Sequence, residues 1–177
     1  ARKYIAGILR HAPEMALVTN QWVNSYKRLV PGYEAPVYIC WARRNRSALV
    51  RVPMYKPGRE KVTRIEVRHP DPACNPYLAF SVMLAAGMAG IEGNYDLPEP
   101  IERDVYHMSS VEREKLGIAS LPGSLKEAID FARESRLLRE ALGEHIFEYL
   151  IESKRIEWDE YRLVVHPYEV ERYLPIL

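Results

Sequence analysis

Between Thr63 and Arg68 the sequence alternates charge with hydrocarbon: Arg64, Glu66 and Arg68 interleave with Ile65 and Val67. Successive side chains of a strand point to opposite faces, so this run predicts a strand with one charged face and one apolar face. The apolar face has to cover a core. The charged face cannot be packed dry, because burying unpaired charge is strongly unfavourable. Two environments satisfy it. One is a polar cavity, where the carboxylate holds a hard cation and the flanking guanidiniums hold anionic oxygens. The other is a solvated face of exposed ion pairs, and the spacing leaves both open.

More guanidinium lies just upstream, in Arg43-Arg44-Asn45-Arg46 and at Arg51. Clustered arginines suit phosphate, since the planar fork bonds two oxygens at once. They equally suit RNA, a partner's acidic surface or plain solvent. Arg46 and Arg51 differ by an odd number, so one regular strand cannot aim both the same way. Either Arg46 precedes the strand or a bulge intervenes. Glu34 follows Pro31-Gly32 in a loop, where an acid could close over a site and take a proton, although most loop glutamates do neither.

Other signals narrow the class by absence. The formal charge of +1 gives no basic excess for nucleic-acid binding, and no apolar run approaches the length of a membrane span. The five histidines show no metal-ligand spacing, and no phosphate-binding glycine loop, Gly-x-Ser-x-Gly or Cys-x-x-Cys occurs. The two cysteines, Cys40 and Cys74, read as buried thiols. Without a signal-peptide pattern, the chain reads as cytoplasmic.

The element order predicts an α+β fold of one domain or part of one. Periodicity predicts an opening helix over Arg2–His11 and an irregular stretch from Thr19 to Pro36. Strands are expected at Val37–Ala42, Ser47–Val52 and Val62–His69, the last two as an antiparallel hairpin through Lys56-Pro57-Gly58-Arg59. Asn75-Pro76 caps a nearly all-apolar helix, expected to be buried. A long excursion over residues 92–123 follows. Ser124 with Glu127 opens a helix to about Leu142, Gly143 breaks it, and further helices cover Glu144 to about Arg162 and Pro167 to Tyr173.

Three ordered segments carry a family resemblance. Asn24 through Pro36, with Tyr26-Lys27-Arg28 and Pro31-Gly32-Tyr33-Glu34, resembles the glutamate-binding flap of type I glutamine synthetases. Asn45-Arg46-Ser47-Ala48 with Arg51-Val52-Pro53 resembles their nucleotide-phosphate segment. Arg64 through Arg68, Pro70-Asp71-Pro72-Ala73 and Asn75-Pro76-Tyr77-Leu78-Ala79 resemble their metal-and-substrate strand and the helix after it. The resemblance runs down to Pro167-Tyr168-Glu169 and Arg172-Tyr173-Leu174.

It implies residues 1–177 are the C-terminal portion of the catalytic domain, an antiparallel sheet backed by helices. The N-terminal β-grasp domain and the upstream catalytic strands would be absent, consistent with a chain that opens at Ala1 directly into a helix. The implied activity is ATP-dependent ligation of ammonium to L-glutamate through γ-glutamyl phosphate, with two divalent ions, Mg2+ or Mn2+. By motif, Arg28 would bind glutamate, and Glu34 would close the flap and accept a proton. Arg46 would stabilise the transferring phosphoryl group, and Arg51 would hold nucleotide phosphates. Lys61 and Arg64 would reach the nucleotide, Glu66 would ligate metal, and Arg68 would face substrate. One carboxylate cannot hold two ions that each want six or more oxygens, so the fragment alone is expected to be inactive. Relatives assemble as homododecamers of two hexameric rings.

Some type I enzymes are adenylylated on a tyrosine in Asn-Leu-Tyr-Asp-Leu-Pro. Asn94-Tyr95-Asp96-Leu97-Pro98 imitates this too early in the chain. Tyr106 holds the expected place within a departing pattern, which implies the unadenylylated branch of Gram-positive bacteria and archaea. The rival readings are a γ-glutamyl-polyamine or other amine synthetase, a non-catalytic structural relative, and an RNA-binding module.

Overall fold

The computed structural model describes residues 1–54, 58 and 64–177. Helices α1 (Arg2–Arg10) and α2 (Ala12–Thr19) come first, then a single turn, α3 (Ser25–Arg28). Strands β1 (Tyr38–Ala42), β2 (Ala48–Arg51) and β3 (Glu66–Val67) follow. The rest is helical: α4 (Pro76–Glu92), α5 (Ser110–Lys115), α6 (Leu125–Arg133), α7 (Arg136–Leu142), α8 (Glu144–Tyr161) and α9 (Pro167–Tyr173). The α+β expectation holds.

The sheet is mixed, in the order β1-β2-β3. β2 and β3 pair antiparallel, with Arg51 opposite Glu66 and Val50 opposite Val67, as the hairpin expectation required. The connecting turn lies outside the described residues except for Gly58. β1 and β2, however, run parallel, which corrects the wholly antiparallel sheet expected. Parallel neighbours usually need a long crossover. Here residues 43–47 suffice, because the strands span only five and four residues. Residues 119–121 cover part of the other edge of β1, through Ile39 N–H to Ala119 O at 2.8 Å and Leu121 N–H to Val37 O at 2.8 Å.

The opening helix ends where expected, at Arg10, but a second helix, α2, follows at once, with Pro13 in its first turn, where a missing N–H costs nothing. Two helical expectations change. The helix expected from Ser124 to Leu142 is two helices, because the Ser135 hydroxyl accepts from Leu138 N–H and starts α7. The apolar helix α4 is buried along one line only, at Ala79, Val82, Ala86, Gly87 and Gly90. Tyr77, Phe80, Leu84, Met88 and Ile91 are exposed.

That buried line of small residues sets the tightest packing in the chain. α1 crosses α4 where Gly7 meets Gly90, and the expected Asn75 cap holds the start of α4 through Tyr77 N–H and Leu78 N–H. A Cβ on Gly90 would lie 2.2 Å from the Lys3 carbonyl oxygen and 2.7 Å from Gly7 Cα. Neither backbone can give way cheaply. Gly90→Ala should therefore lower stability by about 1–3 kcal/mol, the usual cost of overpacking. Gly123→Ala, whose Cβ would meet nothing nearer than a Glu127 oxygen at 3.8 Å, should melt close to the parent chain. Matching thermal midpoints for the two variants would mean the helices can slide apart.

Candidate functional site

The site is built on the N-terminal ends of β1 and β2, the C-terminal end of β3 and the loops around them. Arg46 precedes β2, which starts at Ala48, so no bulge is needed to separate its direction from that of Arg51. The loop that carries it is tied to the excursion after α4. Glu102 accepts from Arg43 N–H at 2.9 Å and Arg44 N–H at 3.0 Å. Burial works to raise the Glu102 pKa, but these backbone donors outweigh it and hold the carboxyl below its ordinary range. The Asn45 amide donates to the carbonyls of Ile101 and Arg103, while its oxygen accepts from Ser47 N–H and Oγ. Ser47 Oγ in turn accepts from the buried Val105 N–H at 3.1 Å.

Arg46 projects from this tied loop into a hollow of about 410 Å³ that also has Glu34, Arg68, Asp104 and Tyr106 in its walls. Among the described residues Arg46 has no ion-pair partner. A neighbouring hollow of about 630 Å³ is lined by Arg28, Gly32, Tyr33, Glu34, Ala35 and Arg68. Glu34 and Arg68 are common to both. Glu34 stands on the exposed loop 31–34, whose tight return uses the positive φ of Gly32. Burial pulls the Arg68 guanidinium pKa down; Arg51 and Arg46 add to that, while Tyr106 and Glu66 oppose it.

The charged face of the third strand forms a second cluster beside the hollows. Glu66 Oε2 accepts from Arg51 at 3.1 Å, and Oε1 accepts from Arg64 at 3.1 Å. Arg64 and Glu66 do share a face, as the alternation predicted. Arg28 is placed differently from a free guanidinium. Its Nη1 donates to His69 O at 3.0 Å and faces Asn20 Oδ1 at 3.5 Å, while Nη2 lies 3.3 Å from Pro70 O and 3.5 Å from Arg68 O. Much of its donor capacity therefore fixes the chain leaving β3. Lys61 lies outside the described residues.

The structure thus brings Arg28, Glu34, Arg46 and Arg68 around one pair of hollows and sets Arg51, Arg64 and Glu66 alongside. Three guanidiniums against two carboxylates, Glu34 and Asp104, favour an anionic ligand. Glu66, the expected metal ligand, has both carboxylate oxygens engaged by arginines. Among the described residues no group of three His, Cys, Asp or Glu side chains could hold a metal. Sequence reasoning gave Asp104 and Tyr106 no part in the site and named Asn45 only within a motif; Asn45 and Tyr106 bond partners 56 and 71 positions away, while Asp104 bonds its neighbours Tyr106 and His107.

The comparisons with known proteins agree with this geometry. Residues 1–173 match the family model described as the glutamine synthetase catalytic domain. The chain is 56% identical over 177 residues to the glutamine synthetase of Methanosarcina mazei, covering all of this chain and 39% of that protein. It is 53% identical over 173 residues to that of Thermotoga maritima, covering 98% of this chain and 39% of that protein. A solved GmaS/ADP complex superposes with a TM-score of 0.84 at 32% identity, over 98% of this chain and 39% of that one. The chain spans about two fifths of the length of these relatives. No described helix is long and apolar enough to cross a membrane.

Beneath Arg28 lies His69, fully buried, with neither ring nitrogen hydrogen-bonded among the described residues. Burial, reinforced by the Arg28 charge, pushes its pKa down to about 3. The unfolded chain takes up this proton near pH 6.5, the folded chain only near 3, so stability is fully present above 6.5 and falls as the pH drops. His69→Phe, which cannot titrate, should lose about 2 kcal/mol less than the parent between pH 7.5 and 5, at roughly 1.4 kcal/mol per unit below 6.5. Urea unfolding at the two pH values checks this; equal losses would mean the folded imidazole protonates freely.

Proposed function

The chain belongs to the glutamine synthetase catalytic-domain family, and on that basis we propose that it is the C-terminal part of an ATP-dependent ligase joining ammonia to L-glutamate through γ-glutamyl phosphate. The observation that carries this is the hollow in which Arg46, with no ion-pair partner among the described residues, shares walls with Glu34 and Arg68. It offers positive charge and a movable carboxylate to one reacting centre.

Each side chain then has a task. Arg46 stabilises negative charge redistributed on the phosphoryl group in flight, where fixed positive charge acts most strongly. Glu34 closes with its loop over the bound substrate and takes a proton from ammonium, which leaves ammonia as the attacking nucleophile. Arg68 holds the substrate carboxylate or the transferred phosphate, and Arg28 orients glutamate from the flap's base. Arg51 and Arg64 hold nucleotide phosphate oxygens, and Lys61 reaches the nucleotide.

Glu66 would supply one oxygen ligand to a divalent ion, Mg2+ or Mn2+, which when bound neutralises phosphate charge. A single carboxylate does not build a site for two such ions. The remaining ligands belong to the parent's other segments, so this chain by itself is inactive. The parent carries an N-terminal β-grasp domain and works in the cytoplasm as a homododecamer. Exposed apolar residues at the C-terminus, among them Leu163, Val165, Tyr168, Leu174 and Ile176, support such an assembly.

Assaying the parent protein with ATP, glutamate and either ammonium or a panel of amines tests this proposal. Ammonium-dependent glutamine formation is expected, with a loss of at least about 100-fold in Glu66→Ala. Turnover with amines alone would assign the chain to an amine synthetase, and turnover with neither would make it a structural relative.

A further inference from the structure

Between Tyr33 and Val37 the backbone of the flap is held, among the described residues, by one hydrogen bond. Upstream, a turn closes through Tyr33 N–H to Val30 O at 3.1 Å; downstream, Val37 O accepts from Leu121 N–H. In the interval, the Tyr106 hydroxyl donates to Ala35 O at 3.0 Å. Ala35 directly follows Glu34 and marks the point where the chain turns from exposed to buried. The bond sits at the hinge of the loop that carries the acid.

Tyr106 is itself fixed from three sides. Asp104 accepts from its N–H at 3.0 Å, the Val105 N–H beside it is tied to Ser47 Oγ, and its ring packs against Tyr38 with centroids 5.9 Å apart. The Arg113 guanidinium covers the Tyr38 ring at 4.5 Å. A rigid donor thus reaches across 71 positions of sequence to one carbonyl of a mobile loop. The same ring forms a wall of the hollow shared by Glu34, Arg46 and Arg68. Nothing about packing alone requires its hydroxyl: a phenylalanine would fill the same space.

We propose that Tyr106 is a positioning residue whose hydroxyl, through the Ala35 carbonyl, sets the place at which Glu34 removes the proton from ammonium. This rests on the role of Glu34 proposed above. In the step concerned, one N–H bond of ammonium breaks and its proton passes to the Glu34 carboxylate; the freed electron pair of ammonia forms the C–N bond, the acyl C–O bond to phosphate breaks, and the departing phosphate takes up the second proton that nitrogen loses. Hydroxylamine is largely uncharged at neutral pH and needs no such removal before it attacks. The two nucleophiles therefore separate placement of Glu34 from general integrity of the site.

The experiment compares Tyr106→Phe and Glu34→Gln in the parent protein, measuring kcat and KM for ammonium and for hydroxylamine, with thermal midpoints alongside. Tyr106→Phe should lower kcat/KM for ammonium about tenfold, the scale of one neutral hydrogen bond, and change hydroxylamine turnover far less. Its midpoint should stay near that of the parent, and Glu34→Gln should show the same selective loss, only larger. Equal losses for both nucleophiles in Tyr106→Phe, or no loss, would overturn the positioning role. An unselective Glu34→Gln would instead overturn the reading of Glu34 itself. Should Tyr106→Phe melt early, Tyr38→Leu, which removes the stacked ring and leaves the Tyr106 hydroxyl in place, serves as the packing control; a selective ammonium loss there too would assign the effect to the ring stack and overturn the proposal.

Discussion

Everything at the site depends on how a five-residue return between two parallel strands satisfies its backbone. Residues 43–47 bond among themselves only from Ser47 to the Asn45 side chain, and buried or half-buried amides without partners are costly. The excursion after α4 supplies those partners from outside. Trp41 O and the Trp41 indole meet Ile101 N–H and Pro98 O, Glu102 caps two amides, and Asn45 reaches two carbonyls. The result is a strap whose register is fixed at several points. Arg46 inherits its direction from the strap, and Tyr106 stands one residue beyond the last knot. A segment without regular structure therefore governs the geometry of the charged hollow more than the sheet does.

How legible this was in the sequence depended on the range of each interaction. The β3 alternation could be read directly, since Arg64, Glu66 and Arg68 reveal their shared face within five residues. The Asn75 and Ser124 caps could be read for the same reason, although Glu127 bonds Gly123 N–H rather than closing back on Ser124. α5 carries the same kind of signature, Ser109 with Glu112, and both halves of that box form, yet it falls within residues 92–123, expected as one long excursion. α2 was hidden because Ala12–Thr19 is apolar on all sides and shows no period, and because Pro13 reads as a stop as readily as a start. The resemblance found the charged residues of the site. It took in Asn45 only as part of a motif and gave Asp104 and Tyr106 no part in the site; the partners of Asn45 and Tyr106 lie far along the chain.

The helical layer shows what composition alone misjudges. α4 carries hydrocarbon around its whole circumference, which reads as deep burial. The structure buries only the stripe of small residues where α1 lies against it, because Gly7 and Gly90 let two backbones approach more closely than larger side chains permit, and Gly87 makes room for the Tyr4 ring. The large residues face the other way. Small size, rather than hydrophobicity, decides which face of this helix packs.

The ion pairs of β3 also shape how a ligand would arrive. Arg51 and Arg64 are both paired with Glu66, which leaves that cluster with one positive charge to spare. The hollows add the surplus of Arg28, Arg46 and Arg68 over Glu34 and Asp104, a local positive field on a chain whose overall charge is only +1. Such a field acts on encounter before any contact forms, drawing anions toward the mouth of the hollow and weakening as ions screen it beyond about 10 Å at 0.1 M salt. Capture at this surface is thereby a matter of ionic strength, whereas retention belongs to the geometry beneath it.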